Sequence, residues 1–356
     1  MNRHTNSSTQ PMLEFPVFNN WGAVAEGWYL VGEAKALKKQ GVKGYDLCGQ
    51  RVVVFRDKTG ALGAMDAFCP HMGTDLSIGK VVGQELQCFF HHWRFSADGK
   101  NTAIPCGEPS PEGARLQAYA VEEKYGFLWV YPAAQAPFPV PEYRDLEGRS
   151  VLTARGPLIQ RSVHPHVSMI NGIDAQHLAT VHNVHMDMEI HVEESDEGRA
   201  IYYQFQGGIP SKTWMQRFMG WVLGGRYGYS MRYVQGSVAL LTVMENVRWL
   251  GRWPATPLRM IFAYTPNRFG ESITRCIYLA ERKPGLFGWI RTRARLGLIW
   301  LAFQVLRHED GKVYENIRFN PRSLLKVDKN VSRFIAFTNR LPLSVWSEKP
   351  CLGRDD

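Results

Sequence analysis

Two cysteine–histidine pairs constrain this chain more than any other feature. Cys69-Pro-His71 is followed, after a gap of 16 residues, by Cys88-Phe-Phe-His91 and then His92-Trp93. Two thiolates and two imidazoles at such short paired spacings suit a metal site. Four donors on one ion would make a tetrahedral zinc site. Two cysteines on one iron and two histidines on a second would hold a two-iron cluster. Each pair falls in a loop between strand-like segments rather than at the start of a finger helix. Cys48, Cys106, Cys276 and Cys351 have no histidine at a matching offset and read as ordinary thiols.

Composition excludes several classes. The 356 residues are 45% hydrophobic and 21% charged, which rules out wholesale disorder and a collagen-like fibre. Six cysteines are too few for a small secreted disulfide scaffold. Met1 to Gln10 has no apolar signal-peptide core, and Leu296–Leu306, the longest nearly apolar run, is too short to span a bilayer. The expectation is a soluble cytoplasmic protein with reduced thiols. A net charge of +9 permits contact with nucleic acid, an anionic membrane or an acidic redox partner, and does not choose among them.

The length suggests two domains. Residues 1–20 read as a polar N-terminal segment. Residues 21–135 read as a small all-β domain, on strand signals such as Arg51-Val-Val-Val-Phe55 and Tyr125-Gly-Phe-Leu-Trp-Val-Tyr131. A proline-rich linker follows over 136–150. Residues 151–347 mix strands, at 238–247, 260–265 and 272–279, with helices, and 348–356 are a tail. Residues 286–306 predict a long basic amphipathic helix, with no acid between Arg282 and His308. Residues 332–337 predict part of a last helix.

A second constellation lies in Asn171-Gly-Ile-Asp174-Ala-Gln-His177-Leu-Ala-Thr-Val-His182. Asp174 and His177 are three apart and share a helix face. His177 and His182 are about 140° apart on an ideal helix, so both can reach one ion only if the helix distorts or ends between them. Two imidazoles and one carboxylate make the facial triad of a non-haem Fe(II) site with open positions for O₂. His164-Pro-His166 and His185 are the competing histidines, and no cysteine or acid lies at a matching offset from the His164–His166 pair.

Together these segments resemble the Rieske non-haem iron oxygenases. Cys69-Pro-His71-Met72-Gly73 fits the family's C-P-H-x-G. Cys88-Phe-Phe-His91-His92-Trp93 fits its C-P-[YF]-H-G-W, with Phe for Pro and His92 for Gly. Residues 171–182 fit N-x-x-D-x-x-H-x₄-H, and Asp310-Gly-Lys-Val-Tyr-Glu315-Asn316 fits a D-x-x-[IV]-[WY]-E-N segment of the ketosteroid hydroxylase and sterol desaturase branch. The resemblance is to stand-alone α-subunits, including the aminopyrrolnitrin oxygenase type, and covers residues 28–346.

It implies an α+β protein: an N-terminal all-β Rieske [2Fe–2S] domain and a C-terminal helix-grip catalytic domain, an antiparallel sheet with helices. It implies Cys69, His71, Cys88 and His91 as cluster ligands, with His92 a near miss. It implies His177, His182 and Asp310 as ligands of mononuclear Fe(II), with Glu309 and Glu315 as alternatives to Asp310. Asp174 would bridge to His91 of the partner subunit in a head-to-tail homotrimer, and Asn171 joins it as a candidate catalytic residue.

The implied activity is O₂-dependent oxidation of a hydrophobic, aromatic or polycyclic small molecule, by hydroxylation, N-oxidation or oxidative cyclisation in secondary-metabolite tailoring. A sterol or steroid hydroxylase or desaturase is the alternative. No dinucleotide fingerprint is present, so electrons come from a separate ferredoxin or NAD(P)H-linked reductase. The apolar and basic 286–306 stretch offers weak contact with a membrane surface. A Rieske electron carrier without oxygenase activity has no use for His177, His182 and Asp310. A zinc-stabilised nucleic-acid binder lacks a recognition-helix pattern, so no nucleic-acid partner is expected.

Overall fold

The computed structural model describes residues 15–181, 188–267 and 270–348. The N-terminal half contains β1 (Tyr29–Glu33), β2 (Val42–Leu47), β3 (Gln50–Arg56), β4 (Leu62–Asp66), β5 (Lys80–Val82), β6 (Glu85–Gln87), β7 (Arg94–Phe95), β8 (Asn101–Ala103), β9 (Ala118–Lys124) and β10 (Phe127–Tyr131). They form a six-stranded sheet in the order β1-β10-β9-β4-β3-β2 and a four-stranded sheet β5-β6-β7-β8. β3 explains why both exist. Its side chains alternate across the strand. Val52 and Val54 enter a core with Leu128, Val130 and Trp346. Val53 and Phe55 enter another with Cys69, Leu86, Cys88 and Trp93. The strand is therefore a wall between the domain's main core and the lobe that carries the Cys–His loops.

The second half contains β11 (Val151–Arg161), α1 (Pro165–Ile170), α2 (Ala175–Thr180), β12 (Met188–Ser195), β13 (Ala200–Gly208), α3 (Trp214–Val222), β14 (Arg226–Val234), β15 (Val238–Val243), β16 (Arg248–Trp249), β17 (Trp253–Pro254), β18 (Leu258–Asn267), β19 (Glu271–Glu281), α4 (Gly285–Tyr314) and α5 (Lys329–Thr338). Seven strands make one sheet, β11-β19-β18-β15-β14-β13-β12, and every neighbouring pair is antiparallel. The expected α+β architecture is observed. Both faces of the central strands are covered, which is why they read as continuous apolar runs. On β18, Met260, Phe262 and Tyr264 face the helices. Ile261 and Ala263 face Trp28, Trp129 and Tyr131 of the N-terminal domain.

Four expectations are revised. Residues 15–20 are not a loose polar segment: Val17 and Phe18 are fully buried, and their N–H groups donate to Asn339 Oδ1 at 3.2 and 2.8 Å. The 136–150 linker is built into the interface. Its Val140, Tyr143 and Leu146 join the shared core, and the Tyr143 hydroxyl reaches the carbonyls of Leu241 and Met260 at 2.8 and 2.7 Å. Residues 342–348 leave the second domain and return to the first. Trp346 packs on Tyr29 and Tyr119, while Ser344 N–H donates to the Val24 carbonyl at 2.8 Å. Finally, the 286–306 helix runs on to Tyr314 and is not amphipathic. Leu296, Ile299 and Phe303 enter the core, yet Phe287, Trp289, Ile290, Leu298, Trp300 and Leu301 are exposed. None of the described helices is long and apolar enough to cross a membrane.

Candidate metal centres

The two Cys–His segments form matching loops. Cys69 N–H donates to the Thr74 carbonyl at 2.9 Å, and Cys88 N–H to the Trp93 carbonyl at 2.8 Å, so each cysteine starts a six-residue hairpin tip. The second loop closes through His92, whose backbone is left-handed at φ 59°. That is the conformation glycine adopts freely, and histidine is among the side chains that tolerate it. The substitution of His92 for the family's glycine is thus accommodated.

Within the loops the donors divide by depth. Cys69 and Cys88 are buried. Desolvation pushes the Cys69 thiol up to about 11, against the pull of the His71 and Met72 N–H groups and with help from Cys88. His71 and His91 lie outside them with ring centroids 4.6 Å apart. His71 is fixed by stacking on Trp93, centroids 4.5 Å apart and planes 9° from parallel. Among the described residues no three His, Cys, Asp or Glu side chains enclose a single ion. An inner thiol pair and an outer imidazole pair suit two irons better than one zinc. Phe68, Met72, Phe89 and Phe90 surround the histidines as an exposed apolar rim.

The second constellation sits where α1 breaks. A short 3-10 turn, Asn171–Ile173, leads to Asp174, which caps α2 by accepting from Gln176 N–H at 2.9 Å and His177 N–H at 3.2 Å. Gly172 lets that turn pack closely on β14: a Cβ would meet Met231 Cε at 2.7 Å and the Tyr233 hydroxyl at 2.9 Å, so both side chains would have to shift. α2 turns His177 inward, and α4 brings Asp310 to it across 133 residues. His177 Nε2 and Asp310 Oδ1 are 3.0 Å apart, with both side chains largely buried. Two donors at right angles, each about 2.1 Å from one ion, are about 3.0 Å apart, so this pair fits adjacent coordination positions. α2 ends at Thr180. His182 and His185 lie outside the described residues, as does the side chain of Glu309, while Glu315 is exposed at the end of α4.

His164 and His166 are elsewhere. They are buried with Phe18 and Trp21, and desolvation holds both down, His166 to about 4.

His177 and Asp310 open onto a cavity of about 180 Å³ walled mainly by Met169, Met231, Leu241, Phe262 and Phe303. Ser168, Asn171 and Tyr229 add polar atoms to it, and Arg161 and Arg307 stand at its edge. Sequence reasoning did not single out Ser168, Tyr229 or Arg161. The alternation Tyr227, Tyr229, Met231, Tyr233 was the available signal for the wall that β14 supplies.

Residues 27–122 match the model of the Rieske [2Fe–2S] domain. The chain carries a Rieske domain. It is 34% identical over 160 residues to a cholesterol 7-desaturase of Bombyx mori, covering 44% of this chain and 35% of that protein. It is 37% identical over 120 residues to the oxygenase component of a 3-ketosteroid-9-alpha-monooxygenase of Mycolicibacterium smegmatis, covering 34% and 31%. The chain thus spans about a third of the length of these curated relatives. Its fold is similar to dicamba monooxygenase with non-heme iron and dicamba, at TM-score 0.59 and 16% identity over 88% of this chain and 97% of that one. It is also similar to the NdmA QL mutant of Pseudomonas putida CBB5 with theobromine, at TM-score 0.65 and 17% identity over 88% and 89%. Over 88% of its length, well beyond the Rieske domain, the chain therefore shares the fold of these structures.

Proposed function

We propose that the chain is the oxygenase component of a Rieske non-haem iron system that oxidises a hydrophobic ring compound with O₂. One observation carries the reading: His177 and Asp310, distant in sequence, meet at a mostly apolar cavity in a chain whose other domain is a Rieske domain. Cys69, His71, Cys88 and His91 would hold the cluster, and His177, His182 and Asp310 the Fe(II). Bound there, the two groups would supply single-electron transfer and O₂ activation, respectively. The chain's own residues do the rest. Met169, Met231 and Phe303 exclude water and seat the apolar body. Asp174 fixes the His177 backbone and offers a carboxylate toward His91 of the partner subunit in a homotrimer. The exposed apolar rim around His71 and His91 supports docking there by a second copy or by the separate ferredoxin or reductase.

The named relatives favour a sterol or steroid substrate over secondary-metabolite tailoring. For membrane contact, α3 is a better basis than 286–306. Trp214, Met215, Phe218 and Trp221 are exposed on it, and Leu250 N–H ties the exposed Trp249–Trp253 hairpin to its end. Glu245 is the sole acid between 198 and 270, so this face suits an anionic lipid surface. Flotation with phosphatidylglycerol vesicles, lost in Trp214→Ser/Trp221→Ser, is the check.

The deciding experiment is EPR on protein supplied with Fe(II), reduced by dithionite and exposed to nitric oxide. A reduced-cluster signal together with a ferrous nitrosyl signal is expected. A cluster signal alone would leave an electron carrier and end the oxygenase reading.

A further inference from the structure

We propose that the cavity takes an amphipathic acid: an apolar ring body bearing one carboxylate-type oxyanion, which Arg161 and Arg307 hold. The proposal rests on reading His177 and Asp310 as the reacting end of that cavity. Arg161 ends β11 and Arg307 lies on α4. Both line the apolar cavity, and both also line an open polar pocket beside it, with Gln160, Ser162, Gln304 and Tyr314. With Ile159, which also lines both, the two guanidinium-bearing side chains therefore stand between a greasy chamber and a wet one.

Among the described residues neither arginine has a carboxylate within ion-pair distance. Arg161 lies over the Tyr314 ring at 4.2 Å. Asp310, one turn from Arg307 on α4, is engaged by His177. Glu315, on the rim of the polar pocket, is exposed and pairs with neither arginine. Two half-buried like charges with no carboxylate partner among the described residues gain from a bound anion. The planar guanidinium fork matches a carboxylate in a way an uncharged ester or ketone does not. In the same cavity the hydroxyls of Ser168 and Tyr229 are buried and, among the described residues, have no hydrogen-bond partner. Both residues are less than a tenth exposed and line the cavity, so the chamber also has polar contacts to give to the ring body. Substrate would then lie with its acid at the two arginines and its rings against Met231 and Phe303, toward His177.

The test is calorimetric titration of the cluster-containing, Fe(II)-supplied protein with 2-naphthoate and with its methyl ester. The acid should bind at least about ten-fold tighter than the ester. Arg161→Gln and Arg307→Gln should each erode that preference, and the double variant should abolish it, with ester affinity changed less than about two-fold. If a Gln variant loses the cluster absorption, Arg161→Lys keeps the charge without the fork and should still lose most of the preference.

Equal affinities in the wild type, a preference that survives the double variant, or no binding of either naphthoate or pyrene-1-carboxylate at millimolar concentration would overturn the proposal. The same titration and the nitrosyl EPR on one wild-type sample separate the two readings. A retained acid preference without a nitrosyl signal would fail the iron assignment alone. A nitrosyl signal without acid preference would fail the anion subsite alone.

Discussion

At His92 the chain accepts a left-handed backbone on a side chain that must tolerate it, inside the loop that presents His91. Relieving it is expected to help: His92→Gly should stabilise the loop by about 0.5–1 kcal/mol, measured as a higher melting temperature, with the cluster's reduction potential unchanged. A shifted potential would instead mean that His92 hydrogen-bonds at the cluster. Asp310 and Glu315 make the second contrast at this scale. Both are acids of one segment, but only Asp310 reaches His177. Asp310→Ala should lower Fe(II) content and the nitrosyl signal sharply while the cluster absorption stays. Glu315→Ala should change neither, and the reverse order would move the third ligand off Asp310. Residues with unusual chemistry at short spacing were legible in the sequence. Arg161, Ser168 and Tyr229 were not, because an arginine or a hydroxyl gains meaning only from the missing partner around it.

Among the elements, α2 depends on Asp174 in two separable ways. As N-cap the carboxylate satisfies the first N–H groups of a helix only six residues long. As a charge it would serve electron transfer between subunits. Asparagine caps as well as aspartate does, so Asp174→Asn should keep stability within about 0.5 kcal/mol and both metals bound, yet slow single-turnover oxidation. Asp174→Ala should lose about 1 kcal/mol in addition. A wild-type turnover rate in the Asn variant would remove the charge from the electron path. The break at Asp174 also shows what periodicity could not tell. Asp174 and His177 read as sharing a helix face, but Asp174 is the cap that starts α2, after α1 and a 3-10 turn. Strands β18 and β19 were legible because both of their faces are apolar. The true character of α4 was not, since its exposed aromatic residues obey no single-face pattern.

Across the whole molecule, acid should act through the buried His164–His166 pair. Desolvation lowers both below the ordinary histidine value, His166 to about 4. The folded state therefore holds fewer protons than the unfolded state between that value and about 6.5. Stability is full above about pH 6.5 and falls as pH drops toward 4, by about 3 kcal/mol from His166 alone. Urea unfolding at pH 7.5 and 5 should show that slope in the wild type and a shallower one in His166→Gln. An equal slope would mean that cluster loss, not these imidazoles, governs acid sensitivity. The clasp between the chain's last segment and its first domain sets an order of events as well as a contact. Trp346 fills the slot beside Tyr29 and Tyr119, so the Rieske domain, synthesised earlier, cannot complete its core until residues 342–348 leave the ribosome. Nascent chains would wait with that slot open, and cluster insertion into a fully closed domain has to follow the synthesis of residues 342–348.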